Sequence, residues 1–499
     1  MWRRLLAEAF AAVAAGGAGA GRVADGAGAG RAAGGAIEAV GTRDRLGSPF
    51  PAHDMAVACI GTALLAAASL HRQRGADRPG PRLAADHAAA AVRSESLMRI
   101  GGKPAGPGFA PLSRFWPAAD GWVRTHANYP WHRAALLDVL GCSGDEPGAA
   151  GSGDEARAVG AAIAKLPASE LEDLVTAAGG VAVAVRTATQ WQEHPQGQAV
   201  ATQPLIGSGP AGGSGAGRPA GGSRAAPGGG SAGAAWRRDP GSLPASGVRV
   251  LDLTRVIAGP VCTRFLAALG ADVLRLDPPH RPELPLPARD GLIGKRSAAL
   301  DARSRHGREQ LHELLAGADV LVHGYRPGAL DRFGLGAAEL ARRYPHLVVI
   351  SLTAWGTEGP WRDRRGFDSI VQAATGIAAE LSPDGVRPGA LPCQLLDHGT
   401  GYLAAAAALD ALRRRAADGR AYHRDLSLAR TAHWLLSQPR DAATWPYQPA
   451  GDDERWLVTL DSTDGPVSMV APPGQLGGRQ LTWPATLTTY CSDRPHWPD

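Results

Sequence analysis

From residue 248 onward the chain alternates short apolar runs with helical patterns, and this alternation limits the fold more than any other feature. "VRVLDLT" (248–254), "DVLRLD" (272–277), "DVLVHG" (319–324) and "LVVISLT" (347–353) read as buried strands. Between them, "PVCTRFLAALG" places Val261, Phe265, Leu266 and Leu269 at helical spacing behind Gly259-Pro260, a helix-opening pair. "GREQLHELLAGA" (307–318) and "AAELARRYP" supply two further helices. Strands separated by helices in this way predict a parallel sheet, an α/β and Rossmann-like architecture.

The first turn of that sheet is not the dinucleotide fingerprint. It lacks G-x-G-x-x-G, and "GAGAGR" (17–22) matches only as part of a low-complexity run. A nicotinamide enzyme is therefore disfavoured, although the helix start at Gly259-Pro260 can still meet an anion.

The preceding half is less regular and reads as a smaller α+β domain. Residues 54–95 give two alanine-rich helices, 120–141 a strand and a helix, and 166–195 a helix, a strand and a helix. "GSGPAGGSGAGRPAGGSRAAPGGGSAGAA" (207–235) cannot bury a core and reads as a flexible linker. The opening "MWRRLLAEAFAAVAA" reads as an amphipathic helix running into glycine-rich sequence, because Glu8 interrupts the apolar stretch that a signal peptide needs.

Composition narrows the partners. The formal charge is +5 and the pI about 9.1, but Lys and Arg are scattered without aromatic interleaving. A small polyanion is a better ligand than nucleic acid. The five cysteines show no metal-ligand spacing, so no metal and a reducing, cytoplasmic setting are expected. No membrane span is expected either.

"LLDHGTGYLAAAAALDALRRR", from residue 395, sets Asp397 at the start of a helix. From spacing alone an N-cap, worth about 1 kcal/mol, is favoured over a reactive carboxylate. In either role the helix start would hold it ionised. Gly399 and Gly401 leave room for a bulky group against the backbone. His398 reads as exposed or capping, and Trp116, Trp122, Trp131 and Trp191 as packing residues.

"VLDLTRVIAGPVCTRFLAALGADVLRLDPP", "GKRSAALD", "GYRPGALDRFGL", "GFDSIVQAATG" and "LLDHGTGYLAAAAAL" follow one another between Val250 and Leu409. In that order they resemble the class III CoA-transferase family of the CaiB/BaiF type, which includes carnitine CoA-transferase, formyl-CoA transferase and α-methylacyl-CoA racemase. The resemblance implies that Asp397 attacks an acyl-CoA and passes CoA through an aspartyl thioester to a small carboxylic acid. It implies coenzyme A contacts from Ile257 and Ala258, from Leu300 to Arg303, from Gly324, Tyr325, Arg326 and Arg332, and from Arg365, Phe367 and Asp368. The four arginines suit the CoA phosphates. Phe367 stands where the racemase branch carries histidine, and Ile257 where the formyl branch carries glutamine, so both of those chemistries are disfavoured. A homodimer is expected from the family.

The family order also implies a rearrangement. Its small domain is missing after the helices of residues 370–436, while residues 120–206 resemble that domain and Asp54–Glu95 resemble the helices that follow the nucleophile. The expected organisation is two incomplete units in tandem: a low-complexity segment (1–50), an incomplete unit (51–206), a linker (207–247), a Rossmann-like CoA-binding domain with the nucleophile helices (248–436) and a C-terminal arm (437–499). Asp397 is expected to work and Asp54 to be a relic. The competing readings are an acyl-CoA racemase or isomerase and a catalytically silent CoA-binding scaffold.

Overall fold

A computed structural model describes residues 1–15, 37–41, 44–76, 78–142, 153–208, 242–441, 453–463, 465–483 and 487–498. Most of the glycine-rich linker and the glycine run after the first helix lie outside the described residues. The central sheet has seven strands, in the order Arg296–Ala299, Asp272–Asp277, Arg249–Leu253, Val320–His323, Val348–Thr353, His423–Ser427 and Gly207–Ser208. All pair in parallel except the last, a short antiparallel edge formed by the first two residues of the stretch read as linker, which are therefore part of the fold. Numbered along the chain from Arg249, the six parallel strands run 3-2-1-4-5-6. This is the doubly wound order, whose connections reverse direction beside the first strand and leave a crevice at the strands' carboxyl ends. The parallel Rossmann-like sheet read from the alternation is therefore present.

The strands are short and apolar because helices cover both faces, so they need no polar alternation. Val250, Leu251, Leu274, Val320, Leu321, Val322, Val348 and Ile350 are all buried. Among the helices on the sheet is Leu395–Asp418, buried from Leu395 to Leu412. Its counterpart from the first half, Ala52–Gln73, lies alongside it. Gly399 faces Met55 and Cys59 at one end, and Gln73 donates to the Arg413 carbonyl, 3.0 Å away, at the other. The two helices are therefore parallel, with Asp54 and Asp397 each the third residue of its helix. By length and composition Ala52–Gln73 could cross a bilayer, but here its apolar surface is buried in protein.

Residues 115–184 form the α+β part read from the sequence. Three antiparallel strands, Phe115–Pro117, Trp122–Thr125 and Ala182–Ala184, pack against helices Pro130–Val139, Gly153–Ile163 and Ala168–Ala177 around Trp116, Val123, Leu136 and Ile163. The first helix, Trp2–Ala15, buries Leu5, Ala9 and Val13 on one face, as its amphipathic pattern predicts.

The C-terminal segment returns to the first half. Leu457–Leu460 and Val467–Val470 join Arg99–Ile100 and Lys103–Pro104 in one small sheet, and Gln475–Leu476 pairs beside Arg82–Ala84 in another. The last residues run without regular structure along the sheet edge. There Trp497 Nε1 donates to the Leu314 carbonyl, 2.9 Å away, and the Cys491 amide to Ser297 Oγ, 2.9 Å away.

Candidate active site

A cavity of about 700 Å³ opens at the carboxyl ends of the parallel strands. Its walls are the segments that leave those strands: Thr254–Val256, Asp277–Arg281, Leu300–Arg303, Gly324–Arg326 and Thr353–Ala354. Asp397 and Phe367 line it too. Ligands of open α/β sheets bind in this position, where the connections diverge. At the first turn Val256 has φ +66, an unusual conformation for a β-branched residue. Its amide is held by Glu283 Oε2 at 2.9 Å.

Of the residues that the family resemblance assigned to coenzyme A, Ala258, Leu300, Arg303, Gly324, Tyr325, Arg326, Arg332, Arg365 and Phe367 line this cavity. Ile257 and Asp368 do not. Ile257 precedes the first turn of helix Ala258–Ala268 and spends its carbonyl on the Val261 amide, 2.8 Å away. Asp368 is fully buried behind the wall.

The arginines divide by partner. Arg303 is exposed and held by both oxygens of Asp301, and Arg255 leans on Glu283. Arg281, Arg326, Arg332 and Arg365 have no carboxylate partner among the described residues. Burial, then Arg326 and Arg281, lower the pKa of Arg365. Like charges gathered in a cavity without a counter-ion call for an anionic ligand.

Asp397 occupies an acidic corner of this basic cavity. It is 6% exposed, and its amide donates to Asp368 Oδ2 at 2.9 Å. Asp368 opens helix Asp368–Thr375 and also accepts from the Gln372 amide group, whose oxygen takes the Leu391 amide at 2.8 Å. This network fixes the spacing of the two helix starts. Burial raises Asp368 to about 6. Burial, then Asp368, then Glu95 push Asp397 well above the usual carboxylate range.

That reverses the expectation that the helix start keeps Asp397 ionised. The field of two neighbouring carboxylates and the loss of water outweigh a dipole worth about 0.3–1 kcal/mol. Nor is Asp397 the N-cap, because the helix is preceded by Gln394 and has no side-chain cap.

Three other sequence readings change. A Cβ on Gly401 would lie 2.5 Å from the Ala258 carbonyl oxygen and 2.8 Å from Val261 Cβ. At Gly399 a Cβ would meet Cys59 Sγ at 3.4 Å and Thr431 Cγ2 at 3.7 Å, ordinary contact distances. Gly401 therefore lets the neighbouring helix approach rather than making room for a thioester. His398 is fully buried, with Nε2 2.9 Å from Glu95 Oε2, so it is neither exposed nor capping. Trp131 stacks on Tyr129 and lies beneath Arg281 in the cavity wall, so it is not only a packing residue. Asp54 does not line the cavity and instead accepts the Trp2 amide, 3.2 Å away.

The cavity also has contributors that the sequence did not assign to the site. Tyr129, Trp131 and His132 come from the first half, and His126 stacks on Phe367 with ring centroids 3.7 Å apart. Burial, then Arg365, Arg281 and Arg255, lower His132 to about 3. The "THANYPWHR" stretch carried the signal, with two histidines and two aromatics just beyond a strand. Among the described residues no cluster of three potential metal ligands occurs.

The model of one protein family, CoA-transferase family III, matches residues 245–459. The acetyl-coenzyme A transferase nodX of Hypoxylon pulicicidum is 33% identical over 246 residues, 47% of this chain and 40% of that protein. A probable fatty acyl-CoA transferase of Mycobacterium tuberculosis, Rv3272, is 35% identical over 190 residues, 35% of this chain and 48% of that protein. Its crystal structure aligns with a TM-score of 0.37 at 32% identity, covering 39% of this chain and 58% of that one. The chain thus spans about half the length of the curated relatives it matches. The five motifs, the sheet they build and the matched segment agree in one likeness: residues 245–459 of this chain are similar to CoA-transferase family III.

Proposed function

We propose that the protein is a CoA-transferase that moves CoA from an acyl-CoA to a small carboxylic acid, with Asp397 as the nucleophile. The observation that carries this reading is the position of Asp397 in the wall of a cavity four of whose arginines, Arg281, Arg326, Arg332 and Arg365, have no carboxylate partner among the described residues. The Asp397 carboxylate attacks the thioester carbonyl and expels CoA thiolate, which forms an acyl-aspartyl anhydride. The thiolate then attacks the aspartyl carbonyl, releasing the donor acid and leaving an aspartyl-CoA thioester. An acceptor carboxylate reverses the sequence and leaves with CoA. In this reading Arg281, Arg326, Arg332 and Arg365 take the ligand's negative groups.

The two incomplete units are proposed to complement one another, because residues on both sides of the linker line the same cavity. The racemase reading stays disfavoured: Phe367 holds the position of that branch's histidine, and the neighbouring His126 is driven far below its ordinary pKa by burial.

The test is covalent trapping. Incubation with a panel of acyl-CoAs and hydroxylamine is expected to leave a hydroxamate on Asp397, mapped by peptide mass spectrometry. Binding of CoA without any adduct would instead indicate a silent CoA-binding scaffold. Removing one free guanidinium should act on binding. Arg365→Gln is expected to raise the KM for acyl-CoA roughly 10-fold or more, the scale of one charge-assisted hydrogen bond, with a smaller change in kcat. Steady-state kinetics at fixed ionic strength checks it.

A further inference from the structure

Glu95 belongs to the first half of the chain, yet it reaches the second half's reactive corner. Its Oε2 lies 2.9 Å from His398 Nε2, and His398 directly follows Asp397. The Glu95 side chain is 16% exposed and the His398 ring is fully enclosed. The other ring nitrogen, Nδ1, is buried without a hydrogen-bond partner.

Contacts made by the two residues before Glu95 hold the backbone that carries it. Arg93 grips both oxygens of Asp453 at 2.8 and 2.9 Å. Ser94 Oγ accepts from Arg264 Nη2 at 2.9 Å, and Arg264 pairs with Asp290 at 2.6 Å. Glu95 is thus fixed by residues from both sides of the linker.

We infer that Glu95 is a positioning residue of the Asp397 centre: it clamps the His398 ring and supplies the negative charge against which Asp397 must ionise. The role rests on Asp397 being the reacting group, as proposed above. Burial works against the Glu95 charge, but His398 and, more weakly, Arg264 keep its pKa below the ordinary value. It therefore stays charged at neutral pH. The other ionisable groups at this corner are Asp368 at the start of the adjoining helix, Cys393 just before the nucleophile helix and Cys59 opposite Gly399. Burial pushes both thiols upward, so they remain neutral. Glu95 and Asp368 are left as the anions acting on Asp397. A carboxylate made basic in this way is the stronger nucleophile once it ionises, because nucleophilicity rises with basicity.

The test titrates Asp397 in the resting protein, without turnover. Infrared difference spectra against pH report the protonated-carboxyl band of Asp397, identified by its loss in Asp397→Asn. Glu95→Gln keeps a hydrogen-bonding group beside His398 but removes the charge. It is expected to move the Asp397 midpoint down by about one pH unit, a tenfold change, on the loss of one neighbouring negative charge. Glu95→Asp, which retains the charge, should leave the midpoint near the wild-type value. If the Gln variant does not fold, Glu95→Ala is expected to give the same downward shift. An unmoved midpoint in a folded charge-removing variant would overturn the inference, as would a wild-type Asp397 already ionised at low pH. A shifted midpoint without hydroxamate trapping by any acyl-CoA would keep the electrostatic role and remove the proposed transferase activity.

Discussion

Asp397→Asn is expected to lower CoA transfer by roughly a thousandfold or more, the scale of losing a covalent nucleophile, and to make the protein more stable at neutral pH. These opposite effects share one cause. Asp397 is nearly sealed from water and faces Asp368 and Glu95, so its folded-state pKa lies above the unfolded value. Below about pH 4 both states hold the proton and nothing is gained or lost. As pH rises through the unfolded pKa, the unfolded chain releases its proton while the folded chain retains it, so stability falls. It levels off only above the folded pKa. The asparagine variant escapes this loss. The two stability curves should therefore coincide near pH 4 and separate toward neutrality by on the order of 1–3 kcal/mol, the cost of a poorly compensated buried polar group. Urea unfolding of both proteins at several pH values measures the gap. A variant less stable than wild type at neutral pH would show that Asp397 makes a compensating interaction when ionised.

That combination, activity obtained at a cost in stability, was only partly legible in the sequence. The parallel sheet could be read because buried strands and amphipathic helices have distinct periods, and "VRVLDLT" or "LVVISLT" admit few other readings. The cavity residues on the segments that leave those strands, Ala258, Leu300 and Tyr325 among them, came with the family motifs. Longer-range relations were not local enough to read. Nothing around Glu95 announces a partner 303 positions away, and a buried His398 has the same sequence neighbours as an exposed one. Ionisation was misjudged for the same reason. The helix start is visible locally, whereas the opposing carboxylates arrive from two other segments. Gly401 shows the limit from another side: spacing reveals that a small residue is wanted, but only packing shows that the Ala258 carbonyl requires it.

Lys295→Met should be the costliest single change in the sheet, lowering stability by about 3–5 kcal/mol, because it strands a buried charge. Lys295 Nζ lies 2.9 Å from Asp252 Oδ2 and 3.2 Å from the Pro260 carbonyl oxygen, and both side chains are fully buried. Burial lowers Lys295 to about 8 although Asp252 opposes the shift. Burial also works against the Asp252 charge, but Lys295 prevails and keeps it below the usual carboxylate range. Asp252 in turn accepts from the Thr254 amide at 2.9 Å and from Thr263 Oγ1 at 2.6 Å, so it fixes the turn that leads to Val256 at the cavity wall. The double variant Lys295→Met/Asp252→Asn should recover most of the loss, since it removes both charges and leaves a neutral group for the two threonines. The pair should also weaken acyl-CoA binding without touching the ligand, whereas Arg365→Gln should weaken binding and leave stability unchanged. Measuring unfolding midpoints and KM on the same three variants separates a motif residue that builds the site from one that meets the substrate. A Lys295→Met protein as stable as wild type would mean that Asp252 is already neutral, and that its threonines, not the ion pair, hold the turn.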